Sequence, residues 1–270
     1  MTAKALSFDA VDDLGFAGAA GHIERAQQAA SFAPTSLGPL LELVQLSSGN
    51  RLPPLWKAWT ASNGAGPMLT ALHENREMWL SPDNRRMGFI RTKRTGADAD
   101  HPLVSFLIDA QRAARDVAGL PRAIAGQLTA AMQELESNIH EHSGAVGTGL
   151  LAYRAARGVF EFVAADCGIG ILSSLKKCPL YSALRDHGKA LQQALEEGVS
   201  RFGLGSDRGY GFRPIFVGLM NLYGFLRFRT GDHALIMDGT SPMLAKARLA
   251  QKPPIDGFFA SIRCHRDHSG

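Results

Sequence analysis

The chain has 270 residues, of which 45% are hydrophobic and 20% are charged, with 29 glycines and 13 prolines. These values are close to those of ordinary globular proteins and exclude disorder, collagen-like repeats and coiled coils. The formal net charge of +4 permits an anionic partner but requires neither nucleic acid nor a membrane surface.

The cysteines and the N-terminal sequence indicate in which cellular compartment the protein resides. Three cysteines without C-x-x-C spacing cannot all pair within one chain, which favours a reducing environment. No basic segment followed by an apolar run opens the sequence, and no stretch approaches the roughly 18 apolar residues of a membrane span. We therefore expect a cytoplasmic protein without a membrane partner.

Residues 1–98 carry weak structural signals. The sequence ALSF (residues 5–8) favours a strand, Gly18–Ala30 has helical composition, and SLGPLLELVQL (residues 36–46) is typical of a short buried element. The polar stretch Ser81–Asp100 then precedes a long apolar-periodic segment, which predicts a domain boundary near residue 98. Five cations between Arg85 and Arg94 favour either a solvated linker or a surface for nucleic acid or an acidic partner.

Residues 99–270 carry clearer patterns. Apolar residues at three-and-four spacing predict a helix over 121–142, and Arg157-Gly158 separates two β-favouring runs as a hairpin turn would. Two helical pieces interrupted at His187-Gly188 follow, then a glycine-rich loop, Ser200–Gly211, and a helix from Phe212.

The end of the chain favours strands. A second hairpin is predicted at Gly231-Asp232, and a last strand after Pro253-Pro254. The fold class is therefore α+β, with helices covering a mostly antiparallel sheet.

Three groups of residues have the chemistry of a nucleotide site. Glu134, Asn138 and His142 lie four residues apart and share one stripe of the predicted helix, although that spacing is also typical of a solvated polar face. A carboxylate and an amide one turn apart can orient a water and offer Mg²⁺ an oxygen ligand. The predicted strand before Asp166 delivers this residue into a turn containing Gly168 and Gly170, where the exocyclic amino group of adenine could dock.

A third group comes later in the chain. Gly209 and Gly211 precede a predicted helix, so backbone amides there can receive phosphate oxygens, and Arg208 offers a charge to the γ-phosphate.

Taken in order, ELESN with HEHS, DCGIG and DRGYG resemble the motifs of the gyrase, heat-shock chaperone, histidine kinase and mismatch repair (GHKL) ATPases. The resemblance covers about residues 100–270 and implies an α/β sandwich that binds ATP with Mg²⁺. It also implies that Glu134 activates water or a substrate hydroxyl and that Asn138 ligates Mg²⁺.

The same resemblance assigns further roles. It implies that His142 matches a frequent histidine of anti-sigma-factor-type members and that Asp166 recognises adenine between Gly168 and Gly170. It places the phosphate loop at Gly209 and Gly211. One departure is Phe258, which stands where relatives often carry threonine after glycine.

The nearest resemblance is to compact bacterial signalling ATPases, some of which carry a STAS-like N-terminal half. Residues 1–98 show no catalytic constellation, so we expect them to form a regulatory or partner-binding domain beside an ATP-binding domain of residues 99–270. The resemblance implies an ATPase or a serine/threonine protein kinase that acts on a protein partner, with a lid over 171–208 that ATP orders. The alternative is a non-catalytic scaffold that senses ATP, and a homodimer stays open. His73-Glu74 lacks the context of a phospho-accepting histidine, and no P-loop sequence occurs.

Overall fold

The computed structural model describes residues 4–22, 32–49, 51–61, 64–92, 100–194, 224–237 and 247–266. Short elements precede the main sheet: β1 (Lys4–Ala5), α1 (Phe8–Ala19), β2 (Phe32–Ala33), α2 (Leu37–Ser48), the 3₁₀ turn Leu55–Trp59 and α3 (Gly66–His73). The buried element predicted at residues 36–46 is confirmed as α2, most of whose residues are buried.

The first predicted elements differ from the structure. Of residues 5–8, only Ala5 belongs to a strand, because the Ser7 hydroxyl accepts a hydrogen bond from the Ala10 amide at 3.2 Å and caps α1. Helix α1 ends at Ala19, so the helix expected over Gly18–Ala30 is wrong at its start, and residues 23–31 lie outside the described residues.

Six strands form the main sheet, and every neighbouring pair is antiparallel. In the order β3-β4-β5-β6-β8-β7 they are β3 (Met78–Leu80), β4 (Met87–Arg91), β5 (Leu150–Ala156), β6 (Val159–Asp166), β8 (Arg248–His265) and β7 (Phe225–Met237). The hairpin predicted at Arg157-Gly158 is confirmed between β5 and β6.

The second predicted hairpin is wrong. Gly231 and Asp232 lie inside the continuous strand β7, where the pairing with β8 shifts register as it does at a bulge. Strand β8 begins at Arg248 and runs through Pro253 and Pro254, which lie opposite this shift. Proline has no amide hydrogen to donate, so an interrupted ladder is where a strand tolerates it.

The remaining helices lie between β4 and β7: α4 (Asp100–Arg112), α5 (Arg122–His142), α6 (Gly170–Leu175) and α7 (His187–Ala194). Helix α5 confirms the one predicted over 121–142. His187 and Gly188 begin α7, whereas the sequence predicted an interruption there, and Pro179–Tyr181 form only a 3₁₀ turn. The glycine-rich loop Ser200–Gly211 and the helix predicted from Phe212 lie outside the described residues.

Helices cover both faces of the sheet, which gives two hydrophobic cores. Helices α4 to α7 pack on one face, around residues such as Phe160 and Phe162 of β6. The N-terminal helices α1 to α3 pack on the other face, where Val163 and Phe259 lie. The α+β class and the helix-covered antiparallel sheet are confirmed. Among the described helices, none combines the length and apolarity needed to cross a bilayer.

Strands β3 and β4 precede the boundary predicted near residue 98, yet β4 pairs with β5. The two segments on either side of residue 98 therefore share one sheet. Residues 93–99, where the boundary was placed, lie outside the described part of the chain.

Buried charges join the N-terminal helices to the sheet. Arg227 and Arg229 of β7 are almost completely buried and both contact the Glu42 carboxylate of α2. Arg227 also pairs with Asp12 of α1. Burial alone would raise the pKa of Glu42, but the two guanidinium groups more than offset this and hold the pKa below its usual range. The carboxylate is therefore charged within the core.

Candidate functional site

Helix α5 carries the first group of predicted site residues. Its buried face, which includes Leu128, Leu135 and Ile139, packs on the sheet and fixes the rotation of the helix. Glu134 and Asn138 lie on the neighbouring, more exposed stripe, one turn apart. The Asn138 side-chain amide donates a hydrogen bond to the backbone carbonyl of Glu134 at 2.9 Å. This bond uses Nδ2, which makes the amide oxygen the atom that can face a ligand.

The Glu134 carboxyl group is more basic than a fully exposed glutamate. Partial burial raises its pKa, repulsion from Glu141 adds to that effect, and a hydrogen bond from Asn138 opposes it. A raised pKa makes the carboxylate a stronger acceptor for a proton from water or a hydroxyl.

Asp166 ends strand β6 and is the most perturbed carboxyl group of the predicted site. The residue is only 3% exposed, and its Oδ1 accepts a hydrogen bond from the Gly168 amide at 2.7 Å. Burial raises the pKa of Asp166 from its ordinary value of 3.8 to about 6, and the Gly168 bond opposes the rise. The described hydrogen bonds use Oδ1 alone, so the other carboxylate oxygen can accept from a ligand.

The turn after Asp166 is held in place by close backbone packing. A Cβ atom at Gly168 would lie 2.1 Å from the carbonyl oxygen of Ser143, and the Ile169 amide donates to that same oxygen at 2.8 Å. Gly257 of β8 has φ of +72°, and a Cβ there would lie 2.1 Å from the Asp166 carbonyl oxygen. The turn therefore lies directly against the C-terminal end of α5, one residue after His142.

Thr230 supports this turn and is absent from the predicted site. Its hydroxyl donates to the Gly257 carbonyl at 2.9 Å and accepts from the Ile171 amide at 3.1 Å. It pairs directly across the strands with Phe258. A threonine hydroxyl is thus present beside Gly257, but β7 supplies it.

The sequence could not reveal this role of Thr230. The threonine directly precedes the Gly-Asp dipeptide that was interpreted as a turn. Only the pairing of β7 with β8 brings it to Gly257.

The other predicted residues are placed as follows. Gly170 begins α6 within the same turn, and His142 is the last residue of α5. Arg208, Gly209 and Gly211 lie outside the described residues, as does the later part of the lid predicted over 171–208. No hydrogen bond or ion pair between described residues joins Glu134 or Asn138 to Asp166.

The donor set fits magnesium held mainly by a nucleotide. Within the described ranges, no group of three or more His, Cys, Asp or Glu side chains could hold a metal ion by itself. The Asn138 amide oxygen is a hard donor of the kind that Mg²⁺ takes from proteins while it keeps phosphate and water ligands. The Asp166 carboxylate likewise fits the amino group of adenine.

Comparison of the chain with protein-family models, with curated proteins and with solved structures finds no match.

Proposed function

We propose that this chain is an Mg-ATP-binding signalling protein of the GHKL type. The observation that carries the proposal is the buried Asp166 carboxylate, which a glycine turn fixes against the end of α5. A buried carboxylate with one oxygen left for a donor is costly unless a ligand completes it. The exocyclic amine of adenine is such a donor.

Each described residue has one task in this proposal. Asp166 accepts the hydrogen bond of the adenine amine, and Asn138 offers its amide oxygen to Mg²⁺. Glu134 takes the proton from the attacking water or substrate hydroxyl. Gly209 and Gly211, with Arg208, receive the phosphates, as the resemblance implies.

Coupling to a partner requires part of the site to move with the nucleotide. Helix α6, the first element of the proposed lid, is fixed at its start by the hydrogen bond from the Ile171 amide to Thr230. The described part of the predicted lid, residues 171–194, packs on the sheet as α6, the 3₁₀ turn and α7. ATP-dependent ordering through contacts with the phosphates is therefore proposed only for the rest of residues 171–208. The surface that changes is the one offered to a protein partner.

Calorimetric titration of the full chain with ATP and Mg²⁺ tests the proposal. We expect magnesium-dependent binding that Asp166→Ala weakens by about tenfold to a hundredfold, because a buried acceptor for the base is lost. The exposed Asp116→Ala is the matched control and should bind as the wild type does. Absence of magnesium-dependent ATP binding by the wild-type chain would contradict the proposal.

Asn138→Ala tests the other end of the site. We expect it to weaken binding of the magnesium complex more than binding of ATP in the presence of a chelator, because only the complex uses the amide oxygen. Gln133→Ala removes an exposed amide from the same helix and should change neither affinity. Equal effects of the two variants would contradict the magnesium assignment.

A non-catalytic ATP-sensing scaffold is the second candidate. It is favoured by the difference between the two ends of the site, since Asp166 is buried and fixed whereas Glu134 is largely exposed. Glu134→Gln should spare binding and lower phosphate release or phosphoryl transfer by about a hundredfold or more if Glu134 is a general base. An unchanged rate in this variant would exclude that role and favour the scaffold.

A further inference from the structure

A cavity lies on the opposite face of the sheet from α5. It has a volume of about 390 Å³, which is within the range of roughly 300–1,000 Å³ typical of small-molecule sites. Its floor is a row of cross-strand neighbours, Arg91 of β4, Leu150 of β5 and Ala165 of β6. Helices α2 and α3 and the 3₁₀ turn form its walls. We call it the N-terminal cleft.

The walls of the cleft are mostly apolar and include one aromatic ring. Leu41, Val44, Trp56 and Leu72 are among the residues that line it, and the ring of Trp56 meets that of His73 edge-on at a centroid distance of 5.7 Å. Such a lining suits a compact apolar or aromatic body.

Arg91 is the single cation among the residues that line the N-terminal cleft. Its guanidinium group is half-buried, and burial lowers its pKa, which reflects the cost of holding a charge there. Its described hydrogen bonds go only to neutral oxygens, at 3.2 Å to the Leu72 carbonyl, 3.3 Å to the Arg76 carbonyl and 3.4 Å to Asn75 Oδ1. These bonds are long for charged donors.

The buried arginines elsewhere in the fold have a different environment. Arg227 and Arg229 contact carboxylates, and so does the partly buried Arg263, which pairs with Glu161. No described carboxylate pairs with Arg91. Asp166 also lines the cleft, but its Oδ1 accepts from the Gly168 amide, and no ion pair between described residues joins it to Arg91. The guanidinium in the N-terminal cleft therefore has no carboxylate partner among the described residues, unlike those of Arg227, Arg229 and Arg263.

We propose that the N-terminal cleft binds a small organic carboxylate, whose anionic group pairs with Arg91 and whose apolar body packs on Trp56 and Leu150. The planar guanidinium fork matches a carboxylate in a bidentate pair, and the surrounding apolar walls strengthen that pair by excluding water. The cleft shares Asp166 with the proposed nucleotide site, but the ligand proposed here is held by Arg91 and the apolar walls, so its binding does not require ATP.

Cys167 gives the N-terminal cleft a built-in reporter. It lines the cleft and is partly accessible, whereas Cys178 and Cys264 are only 8% and 1% exposed. Burial raises the pKa of the Cys167 thiol to about 11, so alkylation near neutral pH is slow and its rate can be followed. A ligand in the cleft should slow this alkylation further.

The test uses the full chain with three probes, benzoate, indole-3-acetate and octanoate, and the corresponding amides as uncharged counterparts. Binding is followed at up to about 5 mM by tryptophan fluorescence and by the rate of Cys167 alkylation. We expect at least one carboxylate to bind and to protect Cys167, and its amide to bind at least tenfold more weakly.

Variants assign the binding to Arg91. Arg91→Met should weaken the carboxylate at least tenfold, and Arg91→Lys should restore only part of the affinity because the fork is lost. Arg157→Met removes the same charge from an exposed hairpin turn and should bind as the wild type does. If Arg91→Met fails to fold, Arg91→Lys and the acid–amide comparison carry the test. The proposal is overturned if no carboxylate binds, if the amides bind equally well, or if Cys167 is not protected.

Discussion

Replacing Asp166 by Asn should stabilise the folded chain at neutral pH, although most substitutions at buried positions destabilise. The folded protein holds the Asp166 proton up to about pH 6, whereas an unfolded aspartate loses it near its ordinary pKa of 3.8. Between these values the folded state binds more protons than the unfolded state, so the free energy of unfolding falls as pH rises. Well above pH 6 this destabilisation has reached its full value and no longer changes with pH.

The magnitude follows from the displacement of the pKa of Asp166. One pKa unit corresponds to about 1.4 kcal/mol, so a rise from 3.8 to about 6 corresponds to about 3 kcal/mol at neutral pH. The amide of Asn carries no charge and avoids this cost, while its oxygen can still accept from the Gly168 amide. The value is an upper bound because the new NH₂ group needs a partner of its own.

Urea unfolding of the wild type and Asp166→Asn at two pH values isolates the effect. The advantage of the variant should be at most about 3 kcal/mol near pH 7.5. It should be about 1 kcal/mol near pH 4.5, which is only slightly above the ordinary pKa of 3.8 and where the folded aspartate still keeps its proton. Asp116→Asn, at an exposed position, should show no such gain. The reasoning would be refuted if Asp166→Asn were less stable near pH 7.5, or if its advantage did not depend on pH.

Two further substitutions test the packing of the site and of the sheet. Gly168→Ala should destabilise the protein by about 1–3 kcal/mol in thermal unfolding and weaken ATP binding in titration, because the new methyl group collides with the Ser143 carbonyl. Gly147→Ala places its methyl group in open space and should change neither the stability nor the ATP affinity. Glu42→Gln should lower the free energy of unfolding by about 3–5 kcal/mol because it leaves two buried arginines undercompensated, while Asp83→Asn, which breaks an exposed ion pair, should cost less than about 1 kcal/mol.

The elements that the sequence predicted well are those whose signal is local. Helix α5 has an apolar stripe over five turns, and the β5–β6 hairpin has two apolar runs around a tight turn. Gly231-Asp232 carries the same kind of local signal as Arg157-Gly158, but the first is a bulge and the second a turn. The difference lies in β8, which is long enough to pair with residues on both sides of Gly231.

In the candidate site, too, local contacts were predictable from the sequence and long-range contacts were not. Asp166 and Gly168 are two residues apart, so their turn was recognisable from the sequence. Gln45 was not, although its side-chain amide donates to the carbonyl oxygens of Asp166 at 2.8 Å and of Phe258 at 3.2 Å. These contacts join α2 to strand ends more than a hundred residues later. These contacts form only because the N-terminal helices dock on the sheet. No local sequence pattern predicts that docking.

That docking restricts how residues 1–98 can serve the partner recognition predicted for them. Removing them would take β3 and β4 from the sheet, uncover the core around Phe259, and leave Arg227 and Arg229 without the carboxylates of Asp12 and Glu42. Breaking a buried ion pair by removing one partner costs about 3–5 kcal/mol, a large fraction of the stability of a typical domain. A fragment of residues 99–270 would therefore unfold. It would fail to bind a partner whether or not residues 1–98 recognise that partner. The role of residues 1–98 has to be tested in the full chain, by substitutions on the outward faces of α1 and α3 that leave these buried contacts intact.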